Sequence, residues 1–216
     1  RKVLKSLPIQ EFDIRISRVK KAGLDVCDFD VLLNAEFENH DHDMAYLHQG
    51  KKHSHGHTAH EAHSHSHRGM KEVMEILEKT DMTRRAYEIA VKIFTILGEA
   101  EAKAHGTTLE EVHFHEVGAI DSIVDIVAAA VCLDNLDISE VIIPFLYEGG
   151  GTIRCQHGIL PVPVPAVANI AAAHHLKLHL TGEQGEYVTP TGAAIAAAIR
   201  TSEVLPDAFN IEKIGL

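Results

Sequence analysis

The chain contains no run approaching the roughly 18 consecutive apolar residues that a membrane-spanning helix needs, and no charged-then-apolar leader opens it. No membrane association is therefore expected, and the expected location is the cytoplasm. Basic charge is scarce: 20 Lys and Arg stand against 31 Asp and Glu, a formal net charge of -11 with neutral histidines. Nucleic acid is excluded as a general partner, because neutralising phosphates requires a basic surface. Cations are the favoured class. The three cysteines, Cys27, Cys132 and Cys155, are odd in number, far apart and without a CxxC pair. That pattern suits neither a disulfide framework nor a zinc ribbon. Internal repeats are missing, and so is a Gly-rich phosphate loop of the GxxxxGK type.

What is present suits a globular protein: 216 residues, 45% hydrophobic and 24% charged, are enough for one large domain or two small ones. The first residue is Arg1 rather than Met, and a new apolar alternation starts at Ile211, so the chain reads as an excerpt of a longer protein. Phe12, Ile14 and Ile16 alternate with polar residues, as do Phe29, Val31 and Leu33, and Lys21-Ala22-Gly23 links the two runs. A β-hairpin is expected there. Met70, Val73, Met74 and Leu77 recur at helical spacing, and Ala86, Ile89, Ala90, Ile93 and Leu97 repeat the pattern after a break near Thr80-Asp81. Gly106 can close the second helix. Thr107-Thr108-Leu109-Glu110 has the form of a capping box for a short third one. From Ala119 to Leu136 the residues are apolar on nearly every side, which predicts a helix buried in the core.

Beyond it short strands alternate with helices. Val141 to Phe145 is a strand candidate, Gly149-Gly150-Gly151 a tight passage, and Ile159 to Val164 an extended run held open by Pro161 and Pro163. Pro165 opens a helix of small residues, Leu178 to Leu180 reads as a strand, and Thr189-Pro190-Thr191-Gly192 leads into a last helix through Ile199. The expected fold class is α+β: an N-terminal β-hairpin, a helical middle, and short strands alternating with helices at the C-terminal end. Three parts are expected: residues 1–39 with the hairpin, a disordered His-rich loop over 40–68, and the main α+β body over 69–216.

Ten of the 17 histidines lie between His40 and His67. The dominant pattern is alternation with Ser and Gly spacers, His53-Ser54-His55-Gly56-His57 and His63-Ser64-His65-Ser66-His67, with His60 between them. Exposed imidazoles at neutral pH are mostly neutral and offer a lone pair to metal. His53, His55, His57, His60, His63, His65 and His67 are therefore candidate metal ligands. Imidazole suits nickel, copper and zinc alike, so the tract does not name the metal. The plain alternative is a solvated linker. Storage or delivery of metal fits such a loop better than catalysis, which needs a rigid shell with an open position.

A second cluster packs two imidazoles and three carboxylates into 13 residues: His113, His115, Glu116, Asp121 and Asp125. With a helix starting near Ala119, Asp121 and Asp125 share one face at i,i+4 spacing. Carboxylates in an apolar helix call for a cation or strong hydrogen bonds. These five are the candidate catalytic residues, with His113 and His115 also candidate metal ligands. The alternative makes Asp121 a first-turn cap and the histidines packed core residues. Thr189, Thr191 and Gly192 at a helix start offer hydroxyls and N–H groups for a phosphate, against simple capping by Thr189. His157, next to the glycine turn at Gly158, is a further candidate ligand together with Cys155, though such a pair is more often structural. HExxH is absent, so a zinc protease has no support.

Residues 112–130 (VHFHEVGAIDSIVDIVAAA), 149–166 (GGGTIRCQHGILPVPVPA) and 187–194 (YVTPTGAA) together resemble the LarC family of nickel insertion proteins, over roughly Phe12 to the end of the chain. The His-rich tract ahead of two helices is also characteristic of that family. The resemblance implies a nickel chelatase of the lyase class that inserts nickel into pyridinium-3,5-bisthiocarboxylic acid mononucleotide. The product is the nickel-pincer cofactor of lactate racemase. It also implies consumption of CTP with Mg or Mn, at a site expected outside this chain. By position, His113, His115, Glu116, Asp121 and Asp125 match the family's central motif, and Thr189, Thr191 and Gly192 its later one. Family members carry further segments before and after this chain, so the piece alone is not expected to be active. Lactate racemase is the expected acceptor of the cofactor, and homo-oligomer formation is left open. The rivals are a non-enzymatic nickel storage or metallochaperone protein and a metal-dependent phosphohydrolase using Asp121 and Asp125.

Overall fold

A computed structural model describes residues 1–10, 12–33, 68–114, 119–155 and 157–215, with only the backbone of His113. The 40–68 tract lies outside the described residues, apart from Arg68. After a short helix α1 (Lys2–Lys5), strands β1 (Phe12–Lys21) and β2 (Leu24–Leu33) form an antiparallel hairpin in continuous register from Phe12↔Leu33 to Lys21↔Leu24. Its two-residue turn has positive φ at both positions, 50° at Ala22 and 83° at Gly23. That backbone twist matches the twist of the strands it joins. At the open end of the hairpin Phe12, Ile14, Val31 and Leu33 pack on the core. Towards the turn Ile16 and Phe29 are exposed, and the pairs Arg15–Asp30 at 2.6 Å and Lys21–Asp28 at 2.8 Å lace the strands together.

The two-residue strands β3 (Arg68–Gly69) and β4 (His113–Phe114) pair antiparallel and bracket the helical middle. Helix α2 (Met70–Glu78) starts directly after β3, where the Glu72 carboxylate accepts the Gly69 N–H at 2.9 Å, and it buries Val73 and Leu77. The break near Thr80 ends at Thr83, whose hydroxyl caps helix α3 (Arg84–His105) by accepting the Ala86 N–H. Helix α3 closes at Gly106 in the left-handed region, φ 67°. Its Ala90, Ile93, Phe94 and Leu97 are fully buried.

The short third helix does not form. Residues 107–111 make a turn, with the Glu111 N–H donating to the Thr108 carbonyl at 3.2 Å. Val112 and Phe114 are buried immediately afterwards, and so few residues separate Gly106 from the β4 pairing that the chain must extend before a helix can propagate.

Helix α4 (Ile120–Asn135) buries Ile120, Ile123, Val124, Ile126, Val127 and Ala130 against the body. It is not enclosed on every side, which corrects the sequence expectation. Asp121 and Ser122 are half-buried and Asp125 and Cys132 exposed, a solvent stripe at helical spacing. The stripe is hard to see in sequence because small residues, Ala128 and Ala129, complete it.

Strand β5 (Leu146–Gly150) runs parallel to β8 (Leu178–Gln184), and β6 (Thr152–Cys155) pairs antiparallel with β7 (Gly158–Pro161). The strand expected over Val141 to Phe145 is reduced to a single bridge, Ile142 with Ser202, and the true strand begins where that run ends. Pro144 has no N–H to donate to a ladder. Helices α5 (Pro165–His174) and α6 (Pro190–Ile199) start on prolines and bury the small side chains Ala166, Val167, Ala193, Ala194 and Ala198. Small side chains let both helices lie close to α3, where Asn169 Nδ2 donates to the Ala100 carbonyl at 3.1 Å. Helix α3 thus touches α2, α4, α5 and α6. Among the described residues no helix is long and apolar enough to cross a membrane.

Candidate functional site

Helix α4 begins at Ala119, which has no side chain able to cap. Asp121 in the first turn takes part of that role: its Oδ1 accepts the Ser122 N–H at 2.9 Å, and its charge faces the positive end of the helix dipole. Asp125 lies one turn further on. Although exposed, its carboxyl is pushed up from 3.8 to about 6, first by the protein crowded around it and second by the Asp121 carboxylate. Near neutrality these groups repel each other, so a divalent cation between them would relieve a conflict that protein alone leaves in place. The pair offers oxygen donors on a solvent-facing stripe.

The other members of the cluster cannot be added to this geometry. His113 contributes its backbone to β4, opposite Gly69, while His115 and Glu116 lie outside the described residues. So do His53, His55, His57, His60, His63, His65 and His67. Among the described residues no three His, Cys, Asp or Glu side chains already surround a common point.

At the start of α6 the Thr189 hydroxyl accepts the Gly192 N–H at 3.1 Å. Pro190 has no N–H, so Thr191 carries the first-turn donor that helix geometry leaves without an acceptor inside the helix. Thr191 is half-buried and Gly192 exposed. The sequence expected several N–H groups here. Capping by Thr189 removes one of them and proline another.

Glu148 on β5 was not singled out in the sequence. It is fully buried, and its Oε1 accepts N–H groups from Gly149 at 2.8 Å, Tyr187 at 2.8 Å and Val188 at 3.3 Å. Its Oε2 is buried with no hydrogen-bond partner among the described residues. One side chain therefore ties β5 to the segment that delivers Thr189 to the head of α6. The adjoining glycines allow this approach: a Cβ on Gly149 would collide with the Gly185 carbonyl oxygen, and Gly151 adopts φ 83°. The available signal was strand alternation, which puts Glu148 on the same side as Leu146.

A family model described as "Nickel insertion protein" matches residues 1–216. A protein of Alkaliphilus metalliredigens, named pyridinium-3,5-bisthiocarboxylic acid mononucleotide nickel insertion protein, is 54% identical over 216 residues, 100% of this chain and 49% of its own length. Proteins of the same name from Akkermansia muciniphila and Acetivibrio thermocellus are 46% and 35% identical, over 71% and 98% of this chain and 37% and 47% of their own lengths. The chain spans at most about half the length of these curated relatives. No solved structure matches it significantly. With the family model matched from the first residue to the last and a relative this similar along the whole chain, the protein belongs to the nickel insertion protein family.

Proposed function

We propose that this chain is the part of a nickel insertion enzyme that gathers nickel and presents it to pyridinium-3,5-bisthiocarboxylic acid mononucleotide, as the relatives' name describes for them. The family match over residues 1–216 carries this reading. Asp121 and Asp125 supply oxygen donors on one face of α4. His113, His115 and Glu116, next to them in sequence, add imidazole and carboxylate. Imidazoles of the 40–67 tract collect the ion, and the softer sulfur donors of the substrate draw it away, which gives the transfer a chemical direction. The substrate's phosphate docks at the head of α6, on the Thr191 N–H and the hydroxyls of Thr189 and Thr191, beside Gly192.

The same reading places the product with lactate racemase and the protein in the cytoplasm. The CTP and its Mg or Mn ion belong outside this chain on this reading, and among the described residues no three His, Cys, Asp or Glu side chains surround a common point for such an ion.

The test supplies the full-length protein with nickel, CTP and the metal-free mononucleotide, and follows nickel incorporation by mass spectrometry. Asp121→Ala is expected to slow incorporation sharply, and an unchanged rate removes Asp121 from the site. A storage function is favoured by one observation, the ten histidines between His40 and His67. Deleting residues 40–67 separates the two readings. Insertion that survives at saturating nickel makes the tract a reservoir, whereas a body that neither binds metal nor supports insertion leaves storage as the whole function.

A further inference from the structure

The turn between β6 and β7 places Cys155 opposite Gly158, and Gly158 adopts φ 94°, a conformation that closes the turn tightly. Cys155 Sγ thereby lies 3.8 Å from His157 Nδ1. The His157 ring meets the ring of His105, in the last turn of α3, with centroids 4.9 Å apart and planes inclined by 48°. His105 Nε2 lies 3.6 Å from Glu101 Oε2, one turn back on the same helix. Two elements remote in sequence so bring a thiol, two imidazoles and a carboxylate into one unbroken chain of contacts. The side chain of His105 is 32% exposed and that of Glu101 15%, so solvent reaches the cluster.

We propose that Cys155, His157, His105 and Glu101 form a binding site for one borderline-soft divalent ion of the nickel or zinc class. A thiolate at about 2.3 Å and an imidazole at about 2.0 Å from a shared tetrahedral ion stand roughly 3.5 Å from each other, close to the observed Cys155 to His157 spacing. These two are the preformed pair. His105 and Glu101 complete the set by side-chain rotation, exchanging their present contacts for the ion. The negative end of the α3 dipole adds attraction for a cation. On ligation Cys155 releases its thiol proton to solvent, and the sulfur disfavours magnesium and calcium. The site depends on none of the assignments made for insertion. The 40–67 tract contains no cysteine, so sulfur ligation distinguishes this site from it.

The full-length protein, reduced and metal-free, is titrated with nickel(II) while the near-ultraviolet sulfur-to-nickel charge-transfer absorption is recorded. A saturable band is expected in the wild type and in Cys27→Ser/Cys132→Ser, and its loss is expected in Cys155→Ser. His157→Ala and His105→Ala are expected to weaken the nickel affinity read from that band at least about tenfold. Circular dichroism checks that each variant folds. X-ray absorption on the zinc-loaded wild type provides a readout without mutation, a sulfur scatterer at about 2.3 Å. A nickel-bound wild type without the band, a band retained in Cys155→Ser, unchanged affinity in either histidine variant, or zinc without a sulfur scatterer each overturns the proposal.

Discussion

An aspartate whose carboxyl titrates at about 6 in the folded chain and near 3.8 in the unfolded one sets ionisation against folding. The folded state holds the proton more tightly, so Asp125 contributes no penalty below about pH 4. Its penalty grows as pH rises towards about 6, and is complete above that. Asp125→Asn removes the charge with little change of shape. In a chelator-treated sample the variant is expected to melt at a higher temperature than the wild type at pH 8 and at the same temperature at pH 4. A difference that stays constant across that range would detach the effect from this carboxyl. The residue is exposed, so the gain is modest, and its pH dependence is the diagnostic.

At the scale of single elements, local chemistry explains why some segments were legible and others were not. The hairpin could be read because Phe12, Ile14 and Ile16 alternate and Ala22-Gly23 falls between the runs. Helices α2, α3, α5 and α6 could be read from spacing and from their start and stop residues, Thr83, Gly106, Pro165 and Pro190. The turn over 107–111 carries an N-cap signature that local sequence cannot overrule, and only the burial of Val112 and Phe114 redirects it. Glu148 was illegible for a related reason: its three N–H donors include two from residues some forty positions away. Within the candidate cluster the i,i+4 spacing of Asp121 and Asp125 was legible. The exposure of Asp125 was not, because alanines complete the open stripe of α4. The hairpin turn gives a direct test of element-level chemistry. Ala22 carries φ 50°, a conformation that asparagine tolerates better than alanine, so Ala22→Asn is expected to stabilise the protein by of order 1 kcal/mol. Urea denaturation measures this, and a destabilised variant would show that the turn does not adopt this backbone.

For the molecule as a whole, the core is organised around one helix rather than one sheet. The described strands form only two-stranded pairs, which are marginal alone, so their stability comes from what they pack against. Ile93 and Leu97 lie fully buried on α3 between its neighbours. Ile93→Ala is expected to cost about 2–5 kcal/mol in denaturant titrations of the full-length protein. A cost near zero would mean that α3 is not the centre of the packing.

Because α3 borders α2, α4, α5 and α6 at once, the departure of any one of these four uncovers part of the surface on which the other three also rest. Heating should therefore produce one sharp endotherm for this body, with the heat absorbed in the calorimeter equal to that inferred from the steepness of the transition.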